Sequence, residues 1–243
     1  MKKKTLLFIH GFRGNHLGLA ETVEYFRKKG YECFAPDVPP AKDTQNENLP
    51  KLTGFSADGY AKFIADYILE KNLDRPILIG HSMGSIICAA TAEKYPELID
   101  RKIFFLAPIC VTPPKFITRL APLVAFLPNR LISYVTTKYL IVKKDKKFFK
   151  ETLILTNKCA EKISSKRDSA RAAKFSSSYS ISDFNFDRDS VFIAGEKDRL
   201  NSKKQVKMCA KKYHAVPIFL KKSGHLINYE CPEILAEEIE KNL

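Results

Sequence analysis

Short apolar runs and longer amphipathic segments alternate along this chain. The apolar runs predict strands near residues 5–9, 31–35, 76–80, 102–107, 190–195 and 216–220. Apolar residues at helical spacing predict helices near residues 17–29, 58–72, 84–95, 201–212 and 232–242. This alternation, with strands rich in Ile, Leu and Phe, is typical of an α/β protein whose helices cover both faces of the sheet. We therefore expect a mostly parallel sheet of about six strands.

The interval between residues 109 and 188 interrupts this alternation. It is helical in pattern and contains two apolar stretches, at residues 116–127 and 131–135. The strand pattern resumes only near residue 190. We therefore predict a core formed by residues 1–108 and 189–243, with residues 109–188 inserted as a helical segment.

Most of the positive charge lies in the same interval. Residues 109–188 contain 16 Lys and Arg against 6 Asp and Glu, which is +10 of the formal net charge of +14. The basic residues are densest at residues 143–150. One interpretation is weak attraction to an anionic membrane surface, and the other is a solvated face without a partner. Nucleic-acid binding is not expected, because no recognition motif accompanies the charge.

Length and composition fit one globular domain with a substantial core, since 45% of the 243 residues are hydrophobic. The six cysteines lack C-x-x-C spacing and the five histidines lack zinc-site spacing, so we expect free thiols, no metal and no cofactor. Residues 1–4 resemble the start of a signal peptide, but the apolar run that follows is too short for one. We therefore expect a cytoplasmic protein. The sequence does not indicate an oligomeric state.

The most informative motif is Gly80-His81-Ser82-Met83-Gly84, which matches G-x-S-x-G where a predicted strand gives way to a predicted helix. A sharp turn at that point exposes the serine hydroxyl at the N-terminus of the helix, and the glycines relieve crowding. The alternative interpretation is a glycine turn whose serine only caps the helix. Ser82 is our candidate nucleophile.

Two further residues supply what a serine nucleophile needs. A serine hydroxyl is a poor nucleophile near neutral pH unless an imidazole takes its proton and a carboxylate orients that imidazole. Asp198 follows the predicted strand at 190–195, and His225 follows the predicted strand at 216–220. They are the candidate acid and base.

A glycine-rich turn at residues 10–14 follows the first predicted strand. Such a turn can direct a backbone N–H toward the substrate carbonyl oxygen, on which acyl transfer builds negative charge. The amides of Phe12 and Met83 are the candidate donors.

Three other side chains are candidates for the pocket. Arg13 is placed to reach a substrate carboxylate, His16 to line the pocket mouth, and Cys110 to line the pocket beyond a strand end. The alternatives are that Arg13 and His16 tie their loop down and that Cys110 is a small buried hydrophobe.

With these motifs in order, the chain resembles the α/β-hydrolase superfamily of serine hydrolases, which includes esterases and monoacylglycerol lipases. The resemblance covers nearly the whole chain outside residues 109–188 and implies that this interval is a cap over an apolar pocket. It implies these roles: nucleophile Ser82, acid Asp198, base His225, and oxyanion-hole donors Phe12 and Met83.

The chain departs from this family in three places. The first predicted strand leads directly to His10, so the two leading antiparallel strands of the family are not expected. The acid is followed by Arg199-Leu200-Asn201, where many relatives have a proline, and Ser85 stands where a third glycine is common.

The expected function is hydrolysis of a small-molecule carboxylic ester with an apolar acyl or alcohol part, through an acyl-enzyme on Ser82. A thioester or amide substrate is a second option. The alternatives are an acyltransferase and a non-catalytic ligand-binding member of the same fold. The complete triad favours hydrolysis, and a serine at position 82 disfavours the relatives whose nucleophile is aspartate.

Overall fold

The computed structural model describes residues 4–243, apart from the side chain of Ile117. Of residues 1–4, which were compared with a signal-peptide start, only Lys4 lies within this range. Within the described residues, six parallel strands form one sheet in the order β2-β1-β3-β4-β5-β6. The strands are β1 (Thr5–Ile9), β2 (Glu32–Phe34), β3 (Ile77–His81), β4 (Lys102–Leu106), β5 (Asp189–Gly195) and β6 (Ile218–Leu220). The predicted α/β fold with a parallel sheet is confirmed.

Helices connect the strands and continue beyond the last one. Those outside the interval 109–188 are α1 (Ala20–Lys28), α2 (Ala57–Glu70), α3 (Met83–Lys94), α8 (Lys203–Lys212), α9 (Ile227–Glu230) and α10 (Pro232–Lys241). Their bounds differ from the predicted ones by a few residues. At residues 17–29 the first turn is a 3₁₀ helix, His16–Leu19, whose N-cap side chain Asn15 accepts from the Leu17 amide. β6 begins later than predicted because Pro217 has no N–H to give to the sheet.

Both faces of the sheet are buried. Alternate residues of a strand point to opposite faces, so Leu6 and Phe8 pack with α1 and α10, whereas Leu7 and Ile9 pack with α2 and α3. All four side chains are fully buried. Burial of each such side chain contributes about 1.5–3 kcal/mol, which fixes the sheet and therefore the strand ends.

The strand register aligns the carboxyl ends of neighbouring strands at one edge. Ile9 of β1 pairs with Gly80 of β3, and His81 pairs with Leu106 of β4. Gly195 of β5 pairs with Leu220 of β6. The loops that follow β1, β3, β5 and β6 therefore leave the sheet on the same side, where ligands bind in open α/β sheets.

Between β4 and β5 the chain forms four helices: α4 (Lys115–Val124), α5 (Asn129–Leu140), α6 (Lys146–Glu161) and α7 (Lys166–Ser178). α4 packs against α7, and α5 packs against α6. An isolated antiparallel bridge joins Ile163 to Ala41 in the loop after β2. In residues 4–243, every helix is too short or too polar to cross a membrane.

Candidate active site

Ser82 occupies the turn between β3 and α3. Its backbone has φ 54° and ψ −118°, a region that costs a residue with a side chain on the order of 1–3 kcal/mol. The neighbouring glycines make this turn sterically feasible. A Cβ on Gly80 would lie 2.4 Å from the Gly84 carbonyl oxygen, and a Cβ on Gly84 would lie 2.1 Å from the Ile9 carbonyl oxygen. Both distances are far below van der Waals contact, so the motif needs glycine at both positions.

Ser82, His225 and Asp198 form one continuous hydrogen-bonded chain. His225 Nε2 lies 2.8 Å from Ser82 Oγ, and His225 Nδ1 lies 2.8 Å from Asp198 Oδ2. The imidazole and the carboxylate are almost completely buried, with side-chain exposures of 2% and 0%. Because Nδ1–H donates to the carboxylate, Nε2 is left to accept the hydroxyl proton of Ser82.

The loop that follows β5 contains the candidate acid Asp198, and we call it the acid loop. Its backbone binds the carboxylate oxygen Oδ1, which does not contact His225. Oδ1 accepts from the amides of Leu200 and Asn201, at 2.7 and 3.3 Å. Burial acts to raise the pKa of Asp198, but the charge and hydrogen bond of His225 and these two amides outweigh it, so the pKa lies below its ordinary value. The carboxylate is therefore ionised near neutral pH.

Asn201 also connects the acid loop to the chain that leaves β4. Its Oδ1 accepts from the Cys110 amide at 3.0 Å. This residue was not among the sequence-predicted site residues. Its contacts reach 91 positions along the chain, and nothing local to its sequence distinguishes it from an ordinary loop asparagine.

The loop that follows β6 contains the candidate base His225, and we call it the base loop. It is bound to the C-terminal end of α5 and to the residues that follow. The His225 amide donates to the Leu140 carbonyl oxygen at 2.9 Å. The Glu230 carboxylate accepts from the amides of Val142 at 2.6 Å and Lys143 at 2.9 Å through Oε1, and from Gly224 at 2.6 Å through Oε2. Glu230 therefore joins the base loop to the α5 end, which sequence reasoning missed because 87 and 88 positions separate these partners.

The predicted oxyanion-hole donors lie at the same cavity as Ser82 and His225. A Cβ on Gly11 would lie 3.1 Å from Ser82 Cβ, so the turn that carries Phe12 runs directly against the serine. Met83 is the first residue of α3, where an amide has no partner within its own helix. Within residues 4–243, neither the Phe12 nor the Met83 amide donates to a protein acceptor. Both N–H groups are thus available to a ligand.

Two buried histidines flank the site without carrying charge. His10 Nε2 accepts from the Val38 amide at 2.8 Å, and its Nδ1–H donates to the Gly11 carbonyl oxygen at 2.9 Å. His81 Nε2 donates to the His225 carbonyl oxygen at 3.2 Å. Burial lowers the pKa of His10, and it lowers the pKa of His81 to about 3. Both imidazoles are neutral supports for the loops they bind.

The two predicted pocket residues in the first loop are placed differently. Arg13 lines the cavity with Ser82, and its Nη2 donates to Asn129 Oδ1 at 3.0 Å. His16 is not part of this cavity wall. Its amide and its Nδ1 lie 2.9 and 2.8 Å from Asp37 Oδ1, so His16 ties the loop down instead of lining the pocket mouth.

Cys110 is also not part of the cavity wall. It is 1% exposed and its backbone is held by Asn201, while its neighbours Ile109 and Val111 line the cavity instead. This placement corrects the pocket hypothesis, because in the segment after β4 the side chain of Cys110 is buried while Ile109 and Val111 on either side line the cavity. Cys110 fills space between elements as a small buried hydrophobe.

The cavity has a volume of about 640 Å³ and is mostly apolar. Ile132, Val135 and Leu140 of α5 form part of its wall. Its polar groups include two buried amides, Asn15 and Asn228, whose Nδ2 and Oδ1 respectively have no partner among the described residues. The site therefore combines an apolar wall with one unpaired side-chain donor and one unpaired side-chain acceptor, in addition to the Phe12 and Met83 amides. Across residues 4–243, no three His, Cys, Asp or Glu side chains are grouped to hold a metal ion.

Comparison with known proteins gives a consistent result. The model of the alpha/beta hydrolase fold family matches residues 4–135. A curated relative from Mycoplasma pneumoniae, named "Putative esterase/lipase 2", is 27% identical over 108 residues. The match covers 44% of this chain and 39% of the relative, so it spans about two fifths of the relative's length.

Solved structures resemble the chain over almost its whole length. An esterase from Exiguobacterium antarcticum has a TM-score of 0.85 at 14% identity, with 99% of this chain and 92% of that chain covered. A thermophilic esterase from Thermogutta terrifontis has a TM-score of 0.79 at 16% identity, with 99% and 89% covered. At these identities the likeness establishes the fold.

Proposed function

The chain belongs to the alpha/beta hydrolase fold family and is similar to esterases and lipases, and from this premise we propose that it is a serine hydrolase of carboxylic esters. The observation that carries the proposal is the unbroken chain of hydrogen bonds from Asp198 through His225 to Ser82, with 2.8 Å at each step. The serine end of this chain lies at an apolar cavity. A nucleophile, its base and a space for an acyl group therefore lie together.

The proposed reaction begins when Ser82 Oγ attacks the ester carbonyl carbon and its proton passes to His225 Nε2. The tetrahedral intermediate collapses as Nε2–H gives that proton to the leaving alcohol oxygen, which leaves an acyl group esterified to Ser82. Water then attacks the acyl carbon while the same imidazole removes one of its protons. The bond between the acyl carbon and Ser82 Oγ breaks as the imidazole returns that proton to Oγ, and the carboxylic acid leaves. Throughout, the ionised Asp198 stabilises the imidazolium and holds its tautomer.

We propose that the Phe12 and Met83 amides stabilise the negative charge on the carbonyl oxygen of the intermediate. The N-terminus of α3 adds a favourable partial positive charge at the same place. Removal of a single oxyanion donor typically costs 2.7–4 kcal/mol of transition-state stabilisation, which is roughly a hundredfold or more in rate. Backbone donors are consistent with the close approach of the Gly11 turn to Ser82.

The apolar wall supports a substrate with a hydrophobic acyl or alcohol part. Each CH₂ group buried in such a cavity contributes up to about 0.8 kcal/mol, close to fourfold in kcat/KM when the contact is made in the transition state. The helical interval 109–188, which supplies α5 to this wall, is in our proposal the cap that selects the substrate.

The proposal is tested with a fluorophosphonate probe and a p-nitrophenyl ester series of increasing acyl length. We expect covalent labelling of the wild type and hydrolysis that rises with acyl length until the cavity is full. Ser82→Ala should abolish labelling and lower kcat by roughly 10⁴–10⁶, because the nucleophile is lost. Ser176→Ala is the matched control, since Ser176 lines the same cavity but donates only to the Ala173 carbonyl oxygen.

Two results would contradict the proposal. Near-normal turnover by folded Ser82→Ala protein would show that Ser82 is not the nucleophile. Wild-type protein that binds esters without labelling or turnover would favour a ligand-binding role for the fold instead.

A further inference from the structure

Exposed apolar side chains are concentrated on α4, α5 and the loop between them. Ten of the eighteen large hydrophobic side chains exposed in the described part of the chain lie within residues 116–139. These ten are between 41% and 64% exposed, and they include Phe116, Leu120, Leu123 and Phe126. We call the exposed surface of residues 116–139 the α4–α5 face. An apolar surface of this density is rare on a soluble protein unless something covers it.

The α4–α5 face borders the cavity of the candidate active site. Val124, Val135 and Tyr139 belong to the face and also line the cavity that contains Ser82. The exposed apolar surface is therefore continuous with the cavity wall. Whatever covers the face also meets the route by which a substrate enters.

The charge of this region is of one sign. Residues 111–144 contain six Lys and Arg and no Asp or Glu. All six are exposed, and in the described residues none of their side-chain nitrogens lies within 4.0 Å of a carboxylate oxygen. They are Lys115, Arg119, Arg130, Lys138, Lys143 and Lys144. Three of these cations lie within the apolar face and three beside it, and none forms an ion pair with an acid among residues 4–243.

We propose that the α4–α5 face docks on an anionic lipid surface and directs the cavity opening toward the bilayer. Helices with aromatic and aliphatic residues on one side and Lys or Arg around them lie in the membrane interface, where the apolar groups reach the acyl boundary and the cations meet lipid phosphates. The docking does not depend on the proposed hydrolysis. Its consequence for substrate class does: the ester would be a lipid taken from the surface.

The charge pattern argues against a second copy of the chain as the occupant. A symmetric dimer through this face would bring the three cations of one copy, Arg119, Arg130 and Lys138, near the same three of the other. Like charges directly opposed across an interface destabilise it. An anionic bilayer offers the complementary charge over the whole face together with an apolar interior.

The test is flotation of Ser82→Ala protein with vesicles of phosphatidylcholine alone or of phosphatidylcholine with phosphatidylglycerol. We expect binding to the anionic vesicles that weakens with salt, and little binding to the neutral ones. Arg119→Gln, Arg130→Gln and Lys138→Gln together should lower the partition coefficient about a hundredfold. Leu120→Ser with Leu123→Ser should lower it about tenfold or more.

Matched controls remove the same groups elsewhere. Lys204→Gln, Lys207→Gln and Lys211→Gln remove three exposed lysines of α8, and Leu69→Ser with Ile234→Ser removes two exposed apolar residues of core helices. Both controls should bind vesicles like the parent. In a Ser82 background, all variants should hydrolyse a soluble acetate ester at the parent rate, which separates loss of docking from loss of the proposed chemistry.

Absence of binding to anionic vesicles at low salt would overturn the proposal. So would equal loss of binding in the α8 control, since that would indicate non-specific attraction of a basic protein. A dimer in sedimentation analysis that is abolished by the Leu120 and Leu123 substitutions would overturn it in favour of a second copy.

Discussion

The strand ends around Ser82 and the α4–α5 face are organised in opposite ways. At the strand ends, Asp198, His225 and His81 are buried and form hydrogen bonds of 2.7–3.3 Å. On the α4–α5 face, large apolar side chains face solvent and the cations have no acidic partner among the described residues. The first region needs nothing else to fix its geometry. The second lowers its free energy only when another surface covers it.

This difference separates two kinds of sensitivity. A substitution at the strand ends breaks a bond that no solvent molecule replaces with the same geometry, so it should alter chemistry or stability strongly. A substitution on the α4–α5 face should leave both nearly unchanged and act only when a partner surface is present. The following experiments test the expected sensitivity of the strand ends.

The largest effect should come from Asp198→Asn. The amide in place of the carboxylate leaves the imidazole in the wrong tautomer and without a counter-charge, so kcat should fall about 10⁴-fold. Asp37→Asn is the control, because Asp37 also follows a strand but binds His16 and Thr44 instead of His225. Steady-state kinetics on a soluble ester measure both variants. A crippled Asp37→Asn beside an active Asp198→Asn would mean that the acid has been assigned wrongly.

A smaller effect concerns acid stability and His81. The pKa of His81 is about 3 in the folded protein, against an ordinary value near 6.5 in the unfolded chain. Below pH 6.5 the unfolded chain therefore binds a proton that the folded protein does not, and the free energy of unfolding falls. Between pH 6.5 and pH 5 this loss is about 2 kcal/mol.

Urea denaturation at the two pH values measures the total loss, and His81→Gln should reduce it by the part due to His81 while the part due to the buried His10 remains. The control is His214→Asn, which changes an exposed histidine with a left-handed backbone that asparagine tolerates. If His81→Gln destabilises in acid as much as the wild type does, burial of this imidazole is not the source of the loss.

The smallest of these effects should come from Glu230→Gln. Glu230 is a positioning residue, since it binds the base loop and the α5 end but not Ser82, His225 or Asp198. Loss of its charge weakens three hydrogen bonds to backbone amides, so kcat on a soluble ester should fall on the order of tenfold with KM nearly unchanged. Glu233→Gln, on the exposed side of α10, should show no change. A rise in KM at constant kcat would instead assign Glu230 to substrate binding.

Most of the fold was predictable because its strands are short apolar runs and its turns carry glycine. The three residues Ser82, Asp198 and His225 were predictable for a related reason. Each lies at or soon after the carboxyl end of a strand, and parallel strands bring such positions to one edge. Local sequence and one rule of sheet geometry were sufficient to place them together.

The remaining parts depend on contacts that local sequence does not encode. Asn201 and Glu230 reach partners 91 and 87 or 88 positions away. Neighbouring residues in the segment that contains Cys110 differ in whether they line the cavity or are buried in the core. Ile109 and Val111 line the cavity and Cys110 does not, and the sequence did not indicate which of them would. The role of His16 was ambiguous because an imidazole can line a pocket or bind a carboxylate within the protein. In the structure it binds the buried Asp37. The apolar stretch at 116–127 was visible in sequence, but its exposure was not.

Leu140 contributes both to the cavity wall and to the placement of the loop that contains His225. It lines the cavity, and its carbonyl oxygen accepts from the His225 amide at 2.9 Å. A ligand that displaces Leu140 should therefore also displace His225, the proposed base, and a ligand that fits should leave His225 in register with Ser82. Discrimination between substrates of different shape would then be expressed in the rate of the chemical step more than in the strength of binding. A poor substrate would occupy this cavity and still react slowly.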